Sequence, residues 1–92
     1  MGEITLRVVT PRGLTIDERD LDEVVMRRRE AGDHLGSEVA VLRHHGPTLL
    51  RTADCVVRYR RGTSVSRVHV EPGVAEVLDE IVTMLVPAAE RM

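Results

Sequence analysis

From Ile4 to Thr10 the chain alternates, with Ile4, Leu6 and Val8 on one side and Thr5, Arg7 and Val9 on the other. A period of two predicts a strand with one buried face, and Pro11-Arg12-Gly13 closes it with a turn. The pattern returns between Asp54 and Arg61, where Cys55, Val57 and Tyr59 oppose Val56, Arg58 and Arg60. After Gly62-Thr63-Ser64, Val68 and Val70 alternate with Arg67 and His69. These two runs predict a hairpin whose arginines stand on the wetter side. Fifteen valines, three isoleucines and seven threonines strengthen the lean towards sheet, because β-branched side chains fit a pleated surface.

Two segments read differently when taken alone. Leu21, Val24, Val25 and Arg28 have helical spacing behind Asp17, Glu18 and Asp20, acidic residues that suit a helix N-terminus. Val74, Val77, Leu78, Ile81, Val82 and Leu85 also fit a period of 3.6 residues. Read as helices, they would make the chain α+β. The second segment has an equally simple strand reading, a tight hairpin of Val74–Leu78 and Ile81–Val86 turning at Asp79-Glu80. Periodicity in short apolar runs does not decide between the two.

With 92 residues the chain is expected to be one domain, residues 1–92, with a thin core. No apolar run approaches the roughly 20 residues of a membrane-spanning helix. The N-terminal MGEITLRV has no basic start followed by a long apolar stretch, so neither a transmembrane protein nor a secreted precursor is expected. The single Cys55 cannot form an intrachain disulfide, which fits a reducing compartment. A net charge of -2 disfavours nucleic acid as a partner, because a basic surplus normally supplies most of that affinity. The clusters Arg27-Arg28-Arg29 and Arg58, Arg60, Arg61 are expected to face solvent or to divide between strand faces. His34, His44, His45 and His69 with Cys55 match no compact metal-ligand spacing, so no metal is expected. Asp54-Cys55 with a distant histidine could be offered as nucleophile and base. Alternation instead places Cys55 on the apolar face, where a free thiol is usually inert, and no catalytic residue is expected.

Several landmarks occur in a telling order. They are Leu6-Arg7-Val8-Val9-Thr10-Pro11-Arg12-Gly13, the run from Ser37 to Leu50 containing His44-His45-Gly46-Pro47, then Pro72-Gly73-Val74-Ala75-Glu76-Val77, and Val82-Thr83-Met84-Leu85. From about Ile4 to Glu90 the chain resembles the N-terminal β-sandwich of the epsilon subunit of F-type ATP synthases. It departs from the family pattern at Arg43-His44 before His45, at Asp33 to Gly36, which resembles a small insertion, at Pro72, and at Ala53-Asp54 in place of a Pro-Gly turn. The resemblance implies an all-β chain, a flattened β-sandwich or barrel of about ten short strands. Its inner residues would include Leu6, Val8, Val25, Val41, Val57, Val68, Val77 and Leu85.

The resemblance further implies a non-catalytic rotor subunit of a bacterial synthase, held peripherally at the cytoplasmic face of the membrane, with no cofactor or small-molecule substrate of its own. It places Thr10, His45, Pro47 and Leu49 at the gamma subunit. It places Arg29, Glu30, Asp33, His34 and Glu38, within a charged loop from Arg28 to Glu38, at the ring of c subunits. Family members usually continue into a pair of helices that can block rotation or bind ATP. A chain stopping at Met92 would be expected to couple without that inhibition. A stand-alone interaction module of the same fold is the competing expectation.

Overall fold

The computed structural model describes residues 2–31 and 35–92. Ten strands follow one another: β1 (Ile4–Thr10), β2 (Gly13–Leu21), β3 (Glu23–Arg29), β4 (Leu35–Val41), β5 (Thr48–Thr52), β6 (Cys55–Arg61), β7 (Ser64–Val70), β8 (Gly73–Leu78), β9 (Ile81–Leu85) and β10 (Ala89–Arg91). The fold is the expected all-β sandwich. One layer runs β5-β8-β9-β1-β2 and the other β10-β7-β6-β3, with β4 on the free side of β3. The parallel pair β1/β9 is joined to antiparallel neighbours throughout the rest of the sheet. The register pair Arg28 with Thr52, beside the Ala53 amide donating to the Arg27 carbonyl at 2.9 Å, carries backbone hydrogen bonding from one layer to the other.

Both ambiguous segments are strands. The acidic run Asp17-Glu18-Arg19-Asp20 lies in or beside the outer edge strand β2, where charge discourages pairing with another chain. Val74 to Leu85 is the hairpin β8/β9, and Asp79 (φ 51°) and Glu80 (φ 65°) form its two-residue turn. Both central residues have positive φ, as a type I′ turn requires.

The core is built from alternate residues of both layers. Ile4, Leu6, Val8 and Ile16 of one layer meet Val24, Met26, Val41, Val57, Tyr59 and Val68 of the other, all fully or almost fully buried. Burying each such side chain stabilises the fold by about 1.5–3 kcal/mol, which is how a small domain offsets its ordering entropy.

One expected core position is corrected and one is qualified. Leu85 is 51% exposed, because Val82, Met84 and Val86 take the inward face of the strand and leave Leu85 outside. Val25 is buried but stands outside the core cluster, between Val24 and Met26, which face inward. Its register partners on the outer face are Arg58 and Ala40.

The supposed charged loop from Arg28 to Glu38 is also shorter than expected. Arg28 and Arg29 complete β3, and Leu35 to Val41 pair back against it. At Gly73 the chain approaches β9 so closely that a Cβ would overlap the Leu85 carbonyl oxygen. The Pro72-Gly73 pair thus has a steric reason independent of turn formation.

Candidate functional site

The strands give the sandwich two ends. One carries the β4–β5 connection, Arg43 to Pro47, together with the Asp79-Glu80 turn. The other carries the end of β3 and the start of β4, the Thr10–Gly13 turn, Ala53-Asp54, Pro72 and Pro87. β4 runs from the second end to the first, so a single strand links the residues around Glu30 with those around His45.

At the first end, neither His44 nor His45 lies on a strand. His44 has φ 64°, and the His45 amide donates to the Leu42 carbonyl at 3.2 Å. His45 Nδ1 lies 2.9 Å from the Gly46 carbonyl oxygen, to which Thr48 Oγ1 also donates at 3.0 Å. The turn is therefore held by its own polar groups, with Pro47 fixing the entry to β5. Leu49, two residues on, is 76% exposed on the outer face of its layer.

Thr10 stands apart from these residues at the other end, where its hydroxyl accepts from the Arg12 amide at 3.2 Å and meets Thr15 Oγ1 at 3.3 Å. The four residues expected at the gamma subunit are thus strung along one layer rather than gathered in one cluster.

Sequence reasoning missed an apolar row on that same outer face. Val74 pairs with Leu85, Leu85 with Val9, and Val9 with Leu14, and Val74, Leu85 and Leu14 are exposed. The row continues into an apolar groove of about 520 Å³ flanked by Pro11, Pro72 and Pro87. Alternation of Val82, Met84 and Val86 was the signal that places Leu85 outside.

Of the five residues expected at the c-ring, Asp33 and His34 lie outside the described residues. Arg29 ends β3 and Glu30 follows it, at the second end of the sandwich. Glu38 is not in a loop. It sits mid-strand in β4, on the outer face of the second layer, opposite Arg27 in register. Arg58 Nη1 and Nη2 donate to its two carboxylate oxygens at 3.1 and 3.4 Å, and Arg27 Nη2 lies 3.8 Å away. The hydrogen bonds from Arg58, then its charge and that of Arg27, hold the Glu38 carboxyl below the ordinary carboxylate range. Arg27 also donates to the Gly36 carbonyl at 2.9 Å, bracing the β3–β4 hairpin.

Several other polar residues pair with one another. His69 Nε2 meets Asp54 Oδ1 at 2.7 Å, a pair invisible from the sequence because it bridges β7 and the residue before β6. Cys55 packs against the core instead, and burial pushes its thiol pKa up from 9.0. Nucleophile and base therefore stand on different faces. Arg58 and Arg60 meet Glu38, Glu23 and Asp22, and Arg61 approaches Glu18, so those arginines are largely committed to acidic neighbours. Among the described residues no group of three His, Cys, Asp or Glu side chains could hold a metal ion. Among the same residues no helix is long and apolar enough to cross a membrane. The described surface thus presents an apolar row, a proline-bounded turn and the ion-paired Glu38 face.

Comparison with known proteins agrees with that geometry. The family model for the ATP synthase delta/epsilon chain β-sandwich domain matches residues 3–92. The chain is 39% identical over 88 residues to the ATP synthase epsilon chain of Syntrophobacter fumaroxidans, covering 96% of this chain and 60% of that one. It is 37% identical over 90 residues to the epsilon chain of Alkalihalophilus pseudofirmus, covering 98% of this chain and 62% of that one. The chain thus spans about three-fifths of the length of these relatives. The same fold occurs in a chain of the Euglena gracilis mitochondrial ATP synthase, with a TM-score of 0.80 at 18% identity over 99% of this chain and 54% of that one. It also occurs in the central stalk and c-ring of the Tetrahymena thermophila mitochondrial ATP synthase, with a TM-score of 0.72 at 10% identity, covering 97% and 68%. With a family model matched across nearly its whole length and the sandwich that model describes, the chain belongs to the ATP synthase delta/epsilon chain family through its β-sandwich domain.

Proposed function

We propose that this sandwich is the rotor part of an epsilon subunit, binding the gamma subunit and contacting the c-ring so that ion flow and ATP synthesis or hydrolysis stay coupled. It performs no chemistry itself and takes no cofactor. Its place is peripheral, at the cytoplasmic face of a bacterial membrane, through the assembled complex.

The observation that carries the reading is the family match over residues 3–92, supported by the candidate residues standing at separate places on one paired sheet. A coupling element must hold two partners at a fixed separation. β4, paired along its length to β3, does this between the Glu30–Glu38 side and the His44–Pro47 turn. The exposed row of Leu14, Leu85 and Val74, near Leu49, supplies the apolar area that a stable protein contact needs.

The test is a pull-down of the chain with the gamma subunit of the same organism, comparing wild type with a His45→Asp, Leu49→Asp double variant. Neither side chain belongs to the core, so the variant should keep its melting temperature while losing gamma. A well-folded wild type that captures no gamma subunit would leave a stand-alone interaction module as the better reading.

A further inference from the structure

Glu80 occupies a position where glycine would be expected. It is the second residue of a two-residue hairpin turn, with φ 65°, immediately after Asp79 at φ 51°. Asp-Gly is among the favoured pairs for such a turn, and a side chain in this left-handed region carries a steric cost. Glu80 also has a carboxylate oxygen, Oε2, that is enclosed without a hydrogen-bond partner among the described residues. Two unfavourable features at one exposed turn call for a compensating role.

That role is visible at the other carboxylate oxygen. Glu80 Oε1 accepts from the His44 backbone amide at 3.0 Å, across 36 residues of sequence. His44 is itself left-handed, at φ 64°, and directly precedes His45, Gly46 and Pro47. The Glu80 carbonyl meanwhile accepts from the Thr5 amide at 2.9 Å, anchoring the hairpin turn to β1. The carboxylate therefore ties the β4–β5 turn to a fixed point of the sheet.

We propose that Glu80 is a positioning residue of the gamma-binding surface: its carboxylate holds the His44–Pro47 turn in the conformation that meets the partner. This rests on the stalk reading above. Glu80 acts through the turn and is not assigned a contact with gamma.

Replacing Glu80 with glycine separates the two roles. Glu80→Gly removes the carboxylate and relieves the strain at φ 65°, so the hairpin itself is not weakened. A residue that merely formed the turn would leave binding unchanged. A positioning residue predicts an unchanged or raised melting temperature, faster hydrogen exchange at the His44 amide, and roughly tenfold weaker gamma binding by calorimetry, the scale of one lost hydrogen bond to a charged group. Glu80→Gln keeps an acceptor oxygen and should restore both the His44 protection and most of the affinity. Glu80→Gly with wild-type affinity would overturn the proposal while leaving the stalk reading standing. Wild type that fails to bind gamma would instead sink the stalk reading, and with it the interface role. Unchanged exchange at His44 in Glu80→Gly would show that the tether does not exist in solution.

Discussion

Glu38 shows how a charged residue can be structural and available at once. Its carboxylate accepts from both terminal nitrogens of Arg58, yet the side chain remains 45% exposed. The hydrogen bonds from Arg58, with the charges of Arg58 and Arg27, lower its pKa from 4.5, and Arg58 correspondingly titrates higher than usual. Because the folded-state pKa lies below the unfolded one, the pair's contribution to stability is present above pH 4.5 and fades as pH falls through the lowered value. The pair is exposed to solvent, so that contribution is small and screened by salt. The local titration is the more sensitive readout. In a carboxyl-resolved NMR titration, Glu38 should have its midpoint below 4.5, and Arg58→Gln should move it back up. A wild-type midpoint at the ordinary value would mean that the pair does not persist in solution. At neutral pH Glu38 stays negative, presenting a fixed charge on the face that the family resemblance assigns to the c-ring.

At the scale of elements, legibility followed alternation. β1, β6 and β7 were readable because apolar and polar residues take turns along them, and the Gly62 turn, at φ 61°, was marked by its glycine. β3 gave no such signal. Val24, Val25 and Met26 are all buried, since this strand lies within the second layer and passes its last residues to the first. A strand covered on both faces and a helix look alike in so short a run. The acidic residues of β2 protect a sheet edge, but the same residues would suit a helix start. In the candidate site, the proline turn and Leu49 could be found by resemblance. The Glu80 tether and the Asp54–His69 pair could not, because each joins residues brought together only by the completed sheet. β9 offers a direct test of facing. Leu85→Asp should change stability by about 0.5 kcal/mol or less, as ordinary surface substitutions do. Met84→Asp, one residue away and fully buried, should cost several kcal/mol and unfold much of the population. Equal effects in thermal melts would show that the outward row of Val74, Leu85 and Val9 is misassigned. A Leu85→Asp protein that keeps its fold but loses gamma would extend the contact surface along that row.

For the whole molecule, the relevant property is that neither layer has a core of its own. Leu6 and Val8 from one layer and Val57, Tyr59 and Val68 from the other belong to one buried cluster, and β3 takes part in the hydrogen bonding of both. Exposing either inner face would strip the other, so intermediate states with one layer intact are unfavourable. Unfolding should therefore be a single transition. Tyr59 makes this measurable. It is the only tyrosine in a chain without tryptophan or phenylalanine, and it is buried between the layers. Its fluorescence reports the packing between the layers, whereas far-ultraviolet circular dichroism reports the backbone of both. The two signals should share one midpoint and one slope in denaturant. Separate midpoints would mean that the layers come apart in steps. The point bears on the proposed rotor role, because a body linking two partners would transmit force only if strain at one end could not be relieved by local melting at the other. Coincident transitions would show that no half-melted sandwich is populated, as the proposed coupling role requires.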